Sequence, residues 1–331
     1  MRVFHRLDDV SPEEFRSPFV TIGVFDGVHL GHQYLIDELK QWAGDDGDTV
    51  VVTFRQHPLT VLGRIPPAFI TSLDHRLVLL ERTGVSAVVL LDFDREMAQW
   101  SPEQFVEEVL QKRIGCKHFL MGFDAAIGKG AQGNVEYLHG LPSLGIDVRS
   151  ARPFRIGGQP VSSTEVRKSI LKGELYHAAQ LLGRQPSLYG EVIHGDGRGR
   201  TLGFPTANLN LYHSAAPPHG VYIAEVIRFE DTPAFPRQEE ANPHGALINI
   251  GRRPTFLNPD DPLDYSRYFN EQLDKVEIYI HDFEGDLYGG RLEAVIHKKI
   301  RDERRFANVD ELVAQLEVDR DGLVRWMADR G

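Results

Sequence analysis

Residues 23–32, GVFDGVHLGH, are the stretch that decides the fold of the first half of this chain. They follow the apolar run FVTI and precede YLIDELKQWA, in which apolar residues recur at helical spacing. His29 and His32, at spacing i and i+3, are predicted to share one face where the helix starts. The stretch therefore predicts a ligand site where the first strand of a parallel sheet gives way to the first helix.

The rest of the first half continues this alternation. TVVVTF, SAVVLLDF and HFLMGF are typical of strands, and DHRLVLLERTG and PEQFVEEVLQKR are typical of amphipathic helices. Strands and helices in alternation predict a parallel sheet covered on both faces. TEVRKSILKGELYHAAQLLGR predicts one or two more helices, and QPSLYG, with proline and glycine, predicts a break. We predict a domain boundary near residue 185, with domains at 1–185 and 186–331.

The second half changes to period two. GVYIAEVIRF, GALINIG, KVEIYIHDF and RLEAVIHKKI alternate apolar with polar residues and predict an antiparallel barrel or sandwich. VDELVAQLEVDRDGLVRWM predicts a terminal helix that packs against it. RFEDTPAFPRQEEANPHG and LNPDDPLDYSRYFNEQLD are predicted surface insertions. The predicted fold class is α/β plus β, with a parallel-sheet domain followed by an antiparallel domain.

Composition excludes several classes of function. The net charge of −11 over 331 residues argues against a nucleic-acid binder, which needs an excess of Lys and Arg. The sequence lacks an apolar run long enough to span a membrane, and its start does not resemble a signal peptide, so we expect a cytoplasmic protein. The lone cysteine, Cys116, lies in the apolar run IGCKHFLMG and is predicted to be a buried thiol. No pattern specifies an oligomeric state, so a homo-oligomer stays open.

Three interpretations of His29 and His32 compete. A helix start offers unpaired N–H groups and the positive end of the helix dipole, so imidazoles there can add donors to a phosphate. A zinc site would need further ligands, and no Cys cluster or HExxH pattern supplies them. An ordinary surface location stays open, but the glycine-bracketed turn that carries Asp26 favours a phosphate site.

A second polar cluster opens the helix EVRKSILKGEL. Ser162, Ser163 and Thr164 precede or begin it, and Arg167 follows one turn later. An N-cap accounts for one hydroxyl. Three hydroxyls with an arginine favour a second anion cradle. Two phosphate-binding helix starts suit nucleotidyl transfer, which depends on positioning and charge neutralisation.

The chain resembles the bifunctional prokaryotic riboflavin kinase/FMN adenylyltransferases, also called bacterial FAD synthetases, over nearly its whole length. In the first half the resemblance rests on GVFDGVHLGH, TFRQHP, MGFDAAIGKGAQGN and SSTEVRKSILKGEL. In the second half it rests on GEVIHGDGRGRTLGFPTANL, GVYIAEV, NIGRRPTF, VEIYIHDFEGDLYG and RDERRFANVDELVAQL. It implies a Rossmann-like nucleotidyltransferase domain and a β-barrel riboflavin kinase domain. The implied reactions are phosphorylation of riboflavin to FMN by ATP and adenylylation of FMN to FAD with release of pyrophosphate, both with Mg²⁺.

The resemblance also implies roles for residues of the first domain. His29 and His32 would stabilise the adenylyl phosphate in the transition state. The implied ATP-binding residues are Gly23, Phe25, Ser163, Thr164 and Arg167, and the implied flavin-binding residues are Asp26, His57 and Asp124. The chain departs from the family pattern at Gln56, where a proline is usual, and at Ala125 and Ala126, where an aromatic and a basic residue are usual. These departures leave a kinase with a degenerate or different-acceptor first domain as the alternative.

The segment HGDGRGRTLGFPTANL carries the nucleotide chemistry of the second half. Gly195, Gly197 and Gly199 allow close approach of the backbone to a ligand, and successive N–H groups can bind an anion, although a plain hairpin turn is the alternative. Thr206 and Asn208 then offer the oxygen ligands that Mg²⁺ prefers. The resemblance implies that Mg·ATP binds here, with Thr201 among the ATP-binding residues.

The alternation in KVEIYIHDF puts Val276, Ile278 and Ile280 on one face and Glu277, Tyr279 and His281 on the other. The resemblance implies that Glu277 is the base that takes the proton of the riboflavin 5′-hydroxyl. It also implies that Arg301, Asp302 and Phe306 form the flavin-side wall. A solvated carboxylate and a solvated charge cluster are the respective alternatives.

A flavin-binding regulator without turnover is a hypothesis of a different class. A pure sensor needs neither magnesium ligands nor a base, so Thr206, Asn208 and Glu277 argue against it. The sequence therefore predicts an enzyme whose substrates are the small molecules riboflavin, FMN and ATP.

Overall fold

A computed structural model describes residues 1–141, 144–195, 199, 202–211, 215–232, 235–239, 243–252 and 274–330. The chain divides into two compact units. The first comprises Met1–Pro67 and Arg76–Ser162, and the second comprises Ala68–His75 and Ser163–Gly331. The domain ranges 1–185 and 186–331 stay a prediction.

A parallel sheet forms the centre of the first unit, as predicted. Within the described residues it has six strands in the order β1-β4-β3-β2-β5-β6. The strands are β1 (Arg2–Phe4), β2 (Phe19–Ile22), β3 (Thr49–Phe54), β4 (Ala87–Leu91), β5 (His118–Met121) and β6 (Asp147–Ser150). Val50, Val51 and Val52 are fully buried, so β3 is covered on both faces, which explains its continuous apolar run.

One expectation about this sheet was wrong. The stretch 23–32 follows the second strand in chain order, because β1 precedes it. The strand β1 is three residues long and has no buried residue, so it produces no apolar run in the sequence.

Helices and a short hairpin complete the first half. Among the described residues the α-helices are α1 (Leu30–Ala43), α2 (Pro58–Val61), α3 (Leu73–Arg82), α4 (Pro102–Phe105) and α5 (Val135–His139). The short strand β7 (Arg155–Ile156) pairs with β8 (Gln159–Pro160). A π-helical segment, Val106–Gln111, continues α4. Cys116 is buried as predicted, and its burial raises the pKa of the thiol to about 12.

The second unit contains the predicted antiparallel barrel. Its strands are β9 (Ser187–Ile193), β10 (Thr206–Asn210), β11 (Gly220–Glu230), β12 (Arg237–Gln238), β13 (His244–Arg252), β14 (Asp274–Ile280) and β15 (Arg291–Arg301). In the described part of the chain their order is β12-β11-β13-β14-β10-β9-β15, and β11 also pairs with β15. That last pairing closes the sheet into a barrel. Val276, Ile278 and Ile280 lie in its core, as the alternation predicted.

The break predicted at QPSLYG was wrong, because Ser187 begins strand β9. Gly190 lies inside this strand, where a Cβ atom would come within 2.0 Å of the carbonyl oxygen of Asn210 on β10. The glycine therefore permits close approach of two strands instead of ending one. The insertion RFEDTPAFPRQEEANPHG contains the short strand β12, and all of LNPDDPLDYSRYFNEQLD except its last residue lies outside the described residues.

The described residues of the second unit include the helices α6 (Ser163–Lys172), α7 (Leu175–Leu182) and α8 (Val309–Ala328). Leu175 of α7 joins the barrel core. The terminal helix α8 covers part of the outer barrel surface, where Leu323 packs against Val221, Ile223 and Leu247, so the prediction for this helix is confirmed. No helix in the described ranges has the length and apolar character needed to cross a membrane.

The segment Ala68–His75 is held to the barrel strands by buried polar groups. His75 Nε2 lies 3.1 Å from Glu293 Oε1, and both side chains are about 2% exposed. Ser187 donates a hydrogen bond to the same carboxylate oxygen at 2.8 Å, and Arg291 pairs with Asp74. These contacts account for the place of this segment in the second unit.

Candidate active sites

The two histidines of the opening stretch form a stacked pair. His29 is the N-cap of α1, and its Nδ1 accepts a hydrogen bond from the backbone N–H of His32 at 3.3 Å. The rings lie 3.7 Å apart between centroids, with 15° between their planes. His29 is only 4% exposed, so it is not an ordinary surface residue.

A strained turn places this pair. Phe25, Gly27 and Val28 have φ angles of +52°, +81° and +38°, which is the left-handed region. Side chains other than glycine adopt it at a cost of about 1–3 kcal/mol each. Gly31 must also be small, because a Cβ atom there would lie 3.0 Å from the carbonyl oxygen of Val161 and 3.1 Å from the His29 ring.

A buried arginine donates hydrogen bonds to the backbone next to this turn. Arg76 is 1% exposed and donates to the carbonyl oxygens of Val24 at 2.7 Å and Phe54 at 3.1 Å, and to Thr53 Oγ1 at 3.2 Å. Burial lowers its pKa to about 10, and the charge of the buried Asp26 opposes this shift. Arg76 was not predicted from the sequence, because the segment DHRLVLLERTG that contains it has the pattern of an ordinary amphipathic helix.

Burial also controls the charge of His32. It lowers the pKa of His32 well below 6.5, and electrostatic interactions with His29 and Arg76 lower it further. Nδ1 of His32 is buried and has no hydrogen-bond partner within the described residues. The described part of the chain contains no cluster of three or more His, Cys, Asp or Glu side chains that could hold a metal ion. The geometry suits donation of hydrogen bonds to an anion at the start of α1.

The other candidates of the first unit follow neighbouring strands. Strand β2 lies between β3 and β5, and all three are parallel. The carboxyl end of β2 leads to residues 23–32, that of β3 leads to His57, and that of β5 leads to Asp124. These groups therefore share one edge of the sheet. His57 caps α2 by accepting from the Leu59 N–H at 3.1 Å, and Asp124 is exposed.

The first turn of α6 carries the predicted second cradle. The helix starts at Ser163, Thr164 is exposed, and Arg167 donates from Nε to the carbonyl oxygen of Ala68. These residues belong to the second compact unit, whereas the histidine pair belongs to the first.

The barrel brings together the predicted magnesium ligands and the predicted base. In the antiparallel pairing of β10 with β14, Asn208 stands opposite Glu277 and Thr206 stands opposite Tyr279. On the other side of β14, Asn249 of β13 stands opposite Glu277. Val276 and Ile278 lie in the barrel core, and side chains alternate between the two faces along each strand. The side chains of these cross-strand pairs therefore lie together on the outer face of the barrel.

Two glycines let a loop lie against this face. A Cβ atom on Gly195 would come within 1.9 Å of the Asn208 amide nitrogen. A Cβ atom on Gly199 would lie 2.3 Å from the carbonyl oxygen of Phe204 and 3.1 Å from Thr206 Oγ1. Close approach of the backbone to Asn208 and Phe204 therefore explains both glycines, and their role in ligand binding stays a prediction. Gly197 and Thr201, the other loop candidates, lie outside the described residues.

Glu277 has a charged neighbour that the sequence analysis did not identify. Lys275 Nζ lies 3.1 Å from Glu277 Oε1, and the two side chains are 26% and 29% exposed. Lys275 precedes Glu277 by two positions in an alternating strand, so the period-two pattern contained the signal for this pair.

The predicted flavin wall follows the end of β15. Arg301 forms an ion pair with Asp319 of α8, with Nη2 and Oδ2 2.7 Å apart. Asp302 is exposed, and a hydrogen bond from Lys299 lowers the pKa of its carboxyl group. Phe306 is half-buried, and the Arg304 guanidinium lies 4.6 Å from its ring centroid.

A cavity of about 510 Å³ lies between this segment and α8. It is lined by Ile300, Arg301, Asp302, Glu303, Arg304, Gln315, Val318, Asp319, Gly322 and Arg325. Glu303 also connects the segment with the outer barrel face, because a Cβ atom on Gly251 would come within 2.3 Å of Glu303 Oε1. Gly251 stands opposite Lys275, the neighbour of Glu277.

Comparison with known proteins gives matches to both halves. Residues 11–165 match the family model for FAD synthetase, and residues 182–327 match that for riboflavin kinase. A bifunctional riboflavin kinase/FMN adenylyltransferase of Escherichia coli strain K12 is 34% identical over 323 residues, covering 96% of each chain. The protein of the same description from Bacillus subtilis strain 168 is 32% identical over 323 residues, covering 96% of this chain and 95% of its own.

The fold is also similar to that of a solved structure. The crystal structure of a macrolide-efflux protein from Streptococcus pneumoniae superimposes with a TM-score of 0.77 and 29% sequence identity. The match covers 98% of both chains, so the likeness includes the parallel-sheet unit and the barrel.

Proposed function

The chain belongs to the family of bifunctional riboflavin kinase/FMN adenylyltransferases, and we propose that it phosphorylates riboflavin to FMN and then adenylylates FMN to FAD. One ATP would supply the γ-phosphate in the first reaction, and a second ATP would supply the adenylyl group in the other, with release of pyrophosphate. We assign adenylyl transfer to residues 1–185 and phosphorylation to residues 186–331.

The observation that carries the kinase proposal is the position of Glu277 opposite Asn208 on the outer barrel face. We assign Glu277 the role of the base that accepts the proton of the 5′-hydroxyl while the oxygen attacks the γ-phosphate. The ion pair with Lys275 restrains the carboxylate. Gly195, Gly197, Gly199 and Thr201 are proposed to bind the ATP phosphates.

Thr206 and Asn208 fit a magnesium ion. Their side chains supply a hydroxyl and an amide oxygen, which are hard donors, and the Gly195 backbone lies close enough to Asn208 to leave no room for a Cβ atom. Mg²⁺ is usually coordinated by few protein groups, and its other ligands are phosphate oxygens and water. Two side chains are therefore enough for the protein part of such a site. The ion would neutralise phosphate charge, while the protein side chains orient it.

For adenylyl transfer we propose that His29 and His32 donate hydrogen bonds to the phosphate on which negative charge develops. Gly23 and Phe25 shape the turn, since a Cβ atom on Gly23 would lie 3.2 Å from the Phe25 ring. Ser163, Thr164 and Arg167 are assigned to the ATP phosphates. Asp26, His57 and Asp124 are assigned to the flavin side.

The kinase-only alternative rests on Gln56, Ala125 and Ala126. Ala125 is half-buried and packs against the sheet core, so it offers no ring for stacking on a flavin. Phe123, two positions earlier, is 46% exposed and leaves an aromatic surface in the same loop. This arrangement favours the bifunctional proposal over the kinase-only alternative.

One time course tests the proposal. Purified protein is mixed with riboflavin, ATP and Mg²⁺, and the flavins are separated by chromatography. The bifunctional proposal predicts FMN first and FAD later. FMN without FAD would support the kinase-only alternative, and unchanged riboflavin would contradict both. Omission of Mg²⁺ should stop both steps. The proposal also includes a cytoplasmic location and small-molecule substrates.

A further inference from the structure

A buried carboxylate near the middle of α8 lies outside the machinery assigned above. Asp319 is 3% exposed. Its carboxylate accepts from Arg301 Nε at 2.9 and 3.2 Å, and Gln315 Nε2 donates to Oδ1 at 2.8 Å. Replacing a buried ion pair by apolar residues is often neutral for stability, so stability alone does not explain such a pair.

The pair links the end of β15 to α8, beside the apolar cluster in which Ile300 packs near Leu323. Arg301 is the last residue of β15, and residues 302–306 follow without regular secondary structure before α8 begins. Arg301 also donates from Nη1 to the carbonyl oxygen of Asp302 at 3.2 Å. Asp319 therefore holds the start of this irregular segment against the centre of the helix.

The cavity of about 510 Å³ lies between the two parts that the pair connects. On the helix side, Val318 is 59% exposed, and a Cβ atom on Gly322 would meet nothing within 4 Å. Glycine is unfavourable inside a helix, and packing does not require it at this position. The helix thus presents an open, partly apolar surface to the cavity, opposite the charged segment 301–304.

We propose that Asp319 is a positioning residue for the kinase reaction. Acting through Arg301, it fixes the distance between segment 300–304 and α8, and this distance sets the width of the cavity that takes the riboflavin ring. Asp319 does not contact the reacting atoms. The inference rests on the proposed kinase function, and it adds a residue that controls how the flavin ring is held.

The test compares Michaelis constants in the full-length protein. Asp319→Asn keeps the shape of the side chain but removes the charge, and should raise the KM for riboflavin about tenfold or more. The KM for ATP and the formation of FAD from supplied FMN should stay near wild type. Asp319→Glu keeps the charge but lengthens the side chain. Its thermal stability should therefore be near that of wild type, while its KM for riboflavin should stay raised. Asp321→Asn, at an exposed position on the same helix, is the matched control.

A second variant addresses the cavity directly. Gly322→Leu places a side chain in the open space and also favours the helix, so it should raise the KM for riboflavin without lowering the melting temperature. An unchanged KM for riboflavin in Gly322→Leu or in folded Asp319→Asn would overturn the inference. If Asp319→Asn does not fold, an unchanged KM for riboflavin in Asp319→Glu would overturn the inference. Wild-type protein that makes no FMN would instead contradict the proposed function itself.

Discussion

His29 lies stacked on His32 at the start of α1, with 3.7 Å between the ring centroids. The contact exists because His29 is the N-cap and His32 lies one turn into the helix, so both rings are on the same side of the helix start. Two imidazoles in contact at the start of a helix, where the helix dipole has its positive end, bring hydrogen-bond donors into one small volume. This concentration is the physical basis for the assigned phosphate contact.

Replacing the pair should separate the two activities. His29→Ala together with His32→Ala should lower FAD formation from supplied FMN by about 100- to 1000-fold or more, because each side chain stabilises developing phosphate charge. FMN formation from riboflavin in the same preparation is the internal control and should stay near wild type. Retained FAD synthesis would refute the assignment. Added zinc should neither rescue the variant nor increase wild-type activity.

His32 should also make stability depend on pH. Burial first, and interactions with His29 and Arg76 second, lower its pKa in the folded protein below the ordinary value of 6.5. Below about pH 6.5 the unfolded chain therefore binds a proton that the folded protein does not, and stability falls as the pH falls. The melting temperature should decrease less between pH 7 and 5 in His32→Gln than in wild type. Parallel curves for the two proteins would contradict this account.

Arg76 should be a major determinant of stability in the first unit. Its guanidinium donates to Val24, Thr53 and Phe54, and all these contacts are buried or half-buried. Arg76→Met should lower the free energy of unfolding by about 3 kcal/mol or more, measured by urea denaturation, because it removes one partner of a buried polar network. Arg113→Met removes an exposed ion pair with Asp8 and should change stability little. Equal effects of the two variants would show that Arg76 is not a special support.

The sequence predicted the features that depend on local periodicity. The continuous apolar run of β3 and the alternation in β14 reflect burial on two faces and on one face, so both strands could be recognised directly. Strand β9 was missed, because Gly190 was interpreted as part of a break. In the structure this glycine permits close contact with strand β10. The histidine pair was recognisable because its residues are close in sequence.

Features that depend on long-range pairing were not predictable in this way. The position of Asn208 opposite Glu277 requires the register of β10 against β14, and strand register depends on tertiary structure. Arg76 and Asp319 lie in helices whose patterns do not distinguish a buried charge from a solvated one. Their partners, such as Arg301 for Asp319, are identified only when the helix packs.

Gly195 should be essential for phosphorylation alone. A Cβ atom at this position would overlap the Asn208 amide, so Gly195→Ala should displace Asn208 or the loop. FMN formation should fall about tenfold or more, because misplacing a substrate-positioning group by about 1 Å can cost 100-fold. Gly122→Ala, where a Cβ atom would make only ordinary contacts at 3.7 and 3.8 Å, is the control for kinase activity. Wild-type FMN formation by Gly195→Ala would show that the loop does not constrain Asn208.

The assignment of the base can be tested by Glu277→Gln. Glutamine keeps the size and the hydrogen-bonding capacity of the side chain at a position 29% exposed on the outer face, but it cannot accept a proton at neutral pH. FMN formation should slow by about 100- to 10,000-fold, or less if the transition state is loose, because general-base assistance is then small. Binding of riboflavin and ATP, measured by calorimetry, should persist.

Two controls make the Glu277→Gln result specific. FAD formation from supplied FMN should be unaffected, because we assign it to the first domain. Lys275→Met removes the neighbouring charge without removing the carboxylate, so it should reduce FMN formation less than Glu277→Gln does. The assignment of Glu277 fails if the glutamine variant phosphorylates riboflavin within a few-fold of wild type. A parallel fall of both activities would indicate misfolding, since a base on the barrel acts only in the kinase reaction.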